Sequence, residues 1–174
     1  MTTPPNIMLF LLPIVGCTNT GTESSSGQEC ASSLSSWVIP DTSTVHLSKD
    51  VPAGSSDCSF VLHLKQGYSS FWPNNSIYKM IPIDPGTHVY RLSFLGKKKG
   101  EMGGEVFVHR NHPGSGNAML FASISIVDTS WSSYSFPDTL TTVPSDTIFL
   151  TISGGGGEYD GTTYVNTVTF QKII

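Results

Sequence analysis

An all-β fold, an antiparallel sandwich of two sheets with eight or nine strands, is what this sequence predicts, and three observations predict it. From residue 37 onward, short runs rich in β-branched and aromatic residues place apolar side chains at every second position. Turn formers separate the runs: Val51-Pro52-Ala53-Gly54, Asp84-Pro85-Gly86, Pro113-Gly114-Ser115-Gly116 and Gly154-Gly155-Gly156-Gly157. No stretch sustains a helical period, so the strand–helix crossovers of a parallel sheet have nothing to be made from. Many short strands at this spacing fit a jelly roll in particular.

Taken in order, the strands are expected at 43–48, 58–65, 77–83, 88–95, around Val106 and Val108, then at 118–127, 131–142, 147–152 and 164–173. In the second, Cys58, Phe60, Leu62 and Leu64 share one side, while Val61 is apolar on the other. In the fourth, Tyr90, Leu92 and Phe94 share a face. Trp131 and Tyr134 stand three apart in a Ser-rich run, where Trp131 reads as a buried anchor for sheet packing. Lys97-Lys98-Lys99, between Gly96 and Gly100, reads as a solvated hairpin tip, with a phosphate or polyanion contact as the alternative.

The first 36 residues differ in kind. Ile7-Met8-Leu9-Phe10-Leu11-Leu12-Pro13-Ile14-Val15 is too short to span a bilayer as a helix and has the length of a signal-peptide hydrophobic region. It ends in Ile14-Val15-Gly16-Cys17, which resembles the bacterial lipobox, although no Lys or Arg precedes it. That resemblance implies a signal peptide over 1–17 and a lipid on Cys17, and so a chain at the cell envelope, anchored to the outer membrane or surface-exposed. The alternative is an ordinary secreted protein. Residues 18–36 hold 10 Ser or Thr among 19, too little apolar surface to offset ordering entropy, and read as a flexible tether before a domain at 37–174. Three cysteines leave one over in a secreted chain. With Cys17 acylated, Cys30 and Cys58 either form a disulfide or stand as a free tether thiol and a buried small residue.

Composition bounds the partners. Charged residues make up 13% of the chain, about half the usual share of soluble domains, and the formal net charge is −4. This gives no electrostatic case for nucleic acid or for an anionic membrane surface, and leaves the lipid as the membrane contact.

The order of motifs carries a second resemblance. Val51-Pro52-Ala53-Gly54-Ser55-Ser56 is followed by Asp84-Pro85-Gly86-Thr87-His88-Val89-Tyr90. Trp131-Ser132-Ser133-Tyr134, Ser145-Asp146-Thr147-Ile148-Phe149-Leu150 and Tyr164-Val165-Asn166-Thr167-Val168 come after. In this order they resemble the galactose-binding-like jelly roll of carbohydrate-binding modules, and in particular small lipid-anchored modules of Bacteroidetes-type surface proteins, over 37–174. The resemblance implies a monomeric, non-catalytic sugar-binding module. Asn166 stands where many members carry an Asp that helps to hold a structural calcium, so a calcium site with Asp41, Asp50 and Asp57 is doubtful and no cofactor is expected.

For a ligand site, Tyr68, Phe71 and Trp72 stand with Asn74 in a turn-rich segment between strands. Flat aromatic faces stack on sugar C–H groups while amides bond the hydroxyls. The bland alternative is that Phe71 and Trp72 cap one end of the sandwich. Asn74-Asn75-Ser76 is a glycosylation sequon, discounted beside a lipobox. His109-Arg110-Asn111-His112 closes a strand and offers His109 and Arg110 as polar contacts. No metal is expected there, because no acid or Cys cluster accompanies the histidines. Glycoside hydrolysis needs two facing carboxylates. Glu101, Glu158 and Asp160 lie in Gly-rich hairpins, which hold a raised pKa poorly, and Glu105 is the other candidate. A binding module is therefore expected, with an envelope-protein interaction lipoprotein as the second reading and a glycan-active hydrolase component as the third.

Overall fold

The computed structural model describes residues 36–64, 75–112, 115, 117–155 and 160–174. Nine strands run β1 Val45–Ser48, β2 Ser59–Leu64, β3 Ser76–Ile81, β4 Gly86–Gly100, β5 Glu105–Arg110, β6 Met119–Ser125, β7 Ser132–Thr142, β8 Ile148–Ser153 and β9 Gly161–Lys172. They form a five-stranded sheet in the order β1-β2-β9-β4-β7 and a four-stranded sheet in the order β3-β8-β5-β6. All strand pairs are antiparallel. This is the jelly-roll sandwich expected from the period-two pattern.

The core lies between the sheets and follows the alternation. Phe60 and Leu62 of β2, Tyr90, Leu92 and Phe94 of β4, and Val165 of β9 meet Ile77, Val106, Val108, Ile148, Leu150 and Ile152 from the other sheet. Deleting one of these side chains would remove buried apolar surface and leave a cavity, at about 2–5 kcal/mol each. Tyr134 stacks on Phe94 with centroids 5.0 Å apart. Its hydroxyl donates to Asp128 Oδ2 at 2.8 Å, so β7 is stapled to the turn that precedes it.

Two expectations need correction. The lysine run is not a hairpin tip: Lys97, Lys98 and Lys99 are inside β4 and pair with Tyr164, Thr163 and Thr162 of β9. β4 continues to Gly100 because β9 supplies ladder partners from Tyr90 to Gly100, beyond Gly96 where pairing with β7 ends. Trp131 is not a core anchor either. It packs on the outer face of the five-stranded sheet, edge-on to Tyr164 and under the Lys97 ammonium.

The crossing from β4 to β5 passes through Gly103 and Gly104, where an added Cβ would fall inside the radius of the Ile126 and Ser153 carbonyl oxygens respectively. The Gly104 N–H donates to Thr163 Oγ1 at 2.7 Å, and Thr163 Oγ1 donates to Gly154 O at 3.2 Å. These buried bonds fasten the two sheets at one end. Before β1, Val38 exchanges both backbone bonds with Tyr78 and extends the edge of β3. Cys58 is buried and disulfide-bonded. The Cys30 of the expected pair, like Cys17, lies outside the described residues.

Candidate functional site

Alternation on the four-stranded sheet sorts its residues. Ile148, Leu150 and Ile152 of β8 point into the core, so Phe149 and Thr151 fall on the outer face. Ladder pairing sets Thr151 beside Tyr78 of β3 and Phe107 of β5, and Phe149 beside Met80 and His109. The outer face of β3-β8-β5 therefore carries a band of aromatic and imidazole rings.

Their geometry is close. Tyr78 lies 5.8 Å from Phe149 and 5.1 Å from His112, centroid to centroid. His112 and His109 approach Phe149 edge-on at 5.5 and 6.3 Å. His112 reaches the band because Asn111 adopts a φ of 64°, which bends the chain at the end of β5. Asn tolerates that left-handed conformation, and its side chain donates to Asn117 O at 2.9 Å. His112 Nε2 then meets Tyr78 Oη at 3.1 Å, and His109 Nε2 meets Thr151 Oγ1 at 2.7 Å. Burial, and second the neighbouring His112, hold the His109 ring down to about 4, so it is neutral at pH 7. Phe149 and Thr151 are themselves buried, so the reachable part of the band is the exposed His112 with the half-buried Tyr78 and His109. These rings are fixed by partners at their polar edges, need little ordering on binding and suit an uncharged polar ligand.

The expected site residues separate here. His109 belongs to the band. Arg110 does not: it follows the inward side of β5 and reaches over the sandwich rim. Its Nη2 donates to Thr141 O at 2.8 Å, its Nε lies 3.2 Å from Asp146 Oδ2 as an ion pair rather than an aligned hydrogen bond, and its guanidinium covers Phe121 at 5.2 Å. Arg110 is thus a tie between β5 and the β7–β8 turn. Tyr68, Phe71, Trp72 and Asn74 lie outside the described residues. Sequence reasoning missed Tyr78, Phe149 and Thr151, and it named His112 within the motif that closes β5 without giving it a contact. The signal was present in Ile148-Phe149-Leu150-Thr151-Ile152, where the residues opposite the aliphatic ones mark the outer face.

Asn166 tests the calcium expectation. It is buried, its Nδ2 donates to the carbonyls of Asp57 and Cys58 at 3.2 and 3.3 Å, and its Oδ1 accepts from Ser55 Oγ at 3.1 Å. The two carbonyls that a cation would use face an amide donor instead. Asp50 is bonded to Lys97, and Asp41 Oδ1 accepts from the Ser43 N–H. Among the described residues no three His, Cys, Asp or Glu converge. The described residues around Asn166 do not fit a calcium ion.

No family model and no curated protein matches the sequence. Solved structures share its fold. One described as a family 16 carbohydrate-binding module-2 superposes with a TM-score of 0.55 at 18% identity, over 79% of this chain and 92% of its own. The CBM22-2 xylan-binding domain of Paenibacillus barcinonensis Xyn10C gives 0.54 at 11%, over 80% and 93%. A two-module structure from Clostridium thermocellum, CBM22-1 with the GH10 module of endo-1,4-β-D-xylanase 10B complexed with xylohexaose, gives 0.53 at 13%, over 80% of this chain and 26% of its own. At these identities the likeness is one of fold.

Proposed function

We propose that the chain is a non-catalytic carbohydrate-binding module that receives a neutral glycan on the outer face of its four-stranded sheet. The observation that carries this reading is the ring band in which exposed His112 and half-buried Tyr78 and His109 are backed by the buried Phe149 and Thr151, with the histidine nitrogens at its polar edges. Sugar rings offer apolar C–H patches edged by hydroxyls, and such a band answers both. The fold shared with carbohydrate-binding modules supports the reading. In it, Tyr68, Phe71, Trp72 and Asn74 add contacts from the segment that leads into β3, whose first described residue, Asn75, is three positions from Tyr78. Acidic groups are scarce on this face: Glu105 is its carboxylate among the described residues, and it accepts from Ser125 Oγ at 2.7 Å. That fits binding without hydrolysis, which needs two facing acids.

The proposal includes the anchor: signal peptide 1–17, lipid on Cys17 and a tether over 18–36, which hold a monomeric domain at the cell envelope. A glycan array with wild type, Trp72→Ala and Tyr78→Ala tests the binding reading. Wild type binds at least one neutral glycan and both variants bind it more weakly; a wild type that binds none sinks the idea. One observation favours the second reading, an envelope-protein partner: Met119 and Leu120 stand exposed on β6, an edge strand. That reading predicts capture through β6 that Leu120→Lys abolishes and Tyr78→Ala leaves intact.

A further inference from the structure

Exposure is graded across the outer face of the four-stranded sheet. Ladder pairing sets three rows on it: Ser153, Glu105 and Ser125; Thr151, Phe107 and Ser123; Phe149, His109 and Leu120. In each row the β8 residue is buried, the β5 residue half-buried and the β6 residue exposed. The reachable strip of this face therefore runs along β5 and β6. Its two ends differ in chemistry. His109 and Leu120 mark one end, where the exposed His112 also stands, and Glu105, Ser123 and Ser125 mark the other. From Glu105 to His109 the strand covers about 13 Å.

Val106 and Val108 are buried in the core, so alternation turns Glu105 and Phe107 outward. Ser125 Oγ donates to Glu105 Oε1 at 2.7 Å. That bond takes the serine proton and leaves its oxygen to accept. Glu105 Oε2 accepts nothing from the described residues, and no cation pairs with the carboxylate among them. Two acceptors thus lie side by side, and the Ser123 hydroxyl stands two residues along β6 as a donor. A half-buried carboxylate with an unused oxygen gains from a donor that reaches it, and a charge-assisted bond is about twice as strong as a neutral one. A metal ion answers this poorly, since it gathers several protein oxygens, and among the described residues no three His, Cys, Asp or Glu converge.

We infer that Glu105, Ser125 and Ser123 form a second subsite of the glycan-binding face, which takes two adjacent hydroxyls on one residue of a linear neutral oligosaccharide lying along β5. Glu105 Oε2 and Ser125 Oγ accept from the hydroxyl pair, and Ser123 Oγ donates to an oxygen of the same sugar residue. The inference rests on the ring-band reading, in which His112, His109 and Tyr78 hold the other end of the chain. A span of about 13 Å is more than a disaccharide seated on those rings covers, so the ligand has at least three sugar residues.

The test is calorimetric titration of the full chain with β-1,4-linked di- and tetrasaccharides of glucose, xylose and galactose. At least one tetrasaccharide binds at least tenfold more tightly than its disaccharide. Glu105→Gln, with its fold checked by circular dichroism, weakens the tetrasaccharide at least fivefold, and Ser125→Ala weakens it in the same direction. Tyr78→Ala weakens both lengths. Equal affinity for the two lengths, or wild-type affinity for the tetrasaccharide in Glu105→Gln, overturns the subsite and leaves the ring band standing. No tetrasaccharide bound at millimolar concentration overturns the subsite as well, and the glycan array then judges the ring band by itself. A tetrasaccharide that Tyr78→Ala still binds fully and Glu105→Gln does not would keep the subsite and remove the ring band.

Discussion

His109 Nε2 and Thr151 Oγ1 meet at 2.7 Å across the β5–β8 ladder, on the outside of the sandwich. The bond fixes an imidazole that burial keeps uncharged at neutral pH, and this makes stability depend on pH. The folded ring is held at about 4, while in the unfolded chain it titrates near 6.5. Between those values the unfolded chain takes up a proton that the folded one refuses. Stability is therefore full above about pH 6.5 and falls as the pH drops toward 4. For a half-buried group screened by solvent, the loss is about 1 kcal/mol. Urea melts of wild type and His109→Gln from pH 7.5 to 4.5 check it: the variant has the shallower dependence.

The Tyr78 ring and its hydroxyl do different work. Tyr78→Phe keeps the ring beside Phe149 and loses the contact to His112 Nε2, so it retains most of the glycan affinity. Tyr78→Ala removes the platform and lowers affinity about tenfold, the equivalent of about 1.4 kcal/mol. Calorimetry with a glycan identified on the array gives both values.

Arg110 supports the fold and leaves the ring band alone. Arg110→Ala strands Asp146, whose side chain is 8% exposed, and frees the Thr141 carbonyl. Asp146 Oδ2 keeps its bond from the Val143 N–H at 2.9 Å, which moderates the effect. The expected loss is about 1–2 kcal/mol of stability with glycan affinity unchanged. Thermal melts beside a binding assay separate the two, and a lost affinity at full stability would return Arg110 to the site.

Asn166→Asp makes the calcium argument testable. As a carboxylate, the new side chain confronts the Asp57 and Cys58 carbonyls with no N–H to give them. An unpaired buried group of this kind destabilises by about 2–4 kcal/mol. Circular dichroism melts should show a lower Tm at pH 7 than at pH 4, where a protonated carboxyl can donate again.

Gly104→Ala has a steric penalty that nothing nearby can relieve, because the obstacle is the backbone carbonyl of Ser153. The variant is expected to be at least about 2 kcal/mol less stable, or insoluble, while Gly54→Ala, at an open turn with positive φ, is milder. Expression yield and melting temperature distinguish them.

Alternation and turn chemistry carried much of the architecture. Phe60 and Leu62, or Tyr90, Leu92 and Phe94, declare an inward face by spacing alone, since successive side chains on a strand must point to opposite sides. Period two also limits what can be read, because it says which residues are together on a strand and not which strands are neighbours. So Lys97 to Lys99, flanked by glycines, looked like a turn in one dimension; only pairing with β9 made them part of a ladder and one wall of a groove. Tyr78, Phe149 and His112 come from three different parts of the chain and meet only because β3, β8 and β5 are adjacent in one sheet. The same holds for Arg110, whose role depends on Asp146 lying within reach across the rim. Local sterics and hydrophobic burial act along the chain, and a single sequence records them. Sites assembled across strands depend on the order of those strands in the sheet, and that is a property of the folded chain.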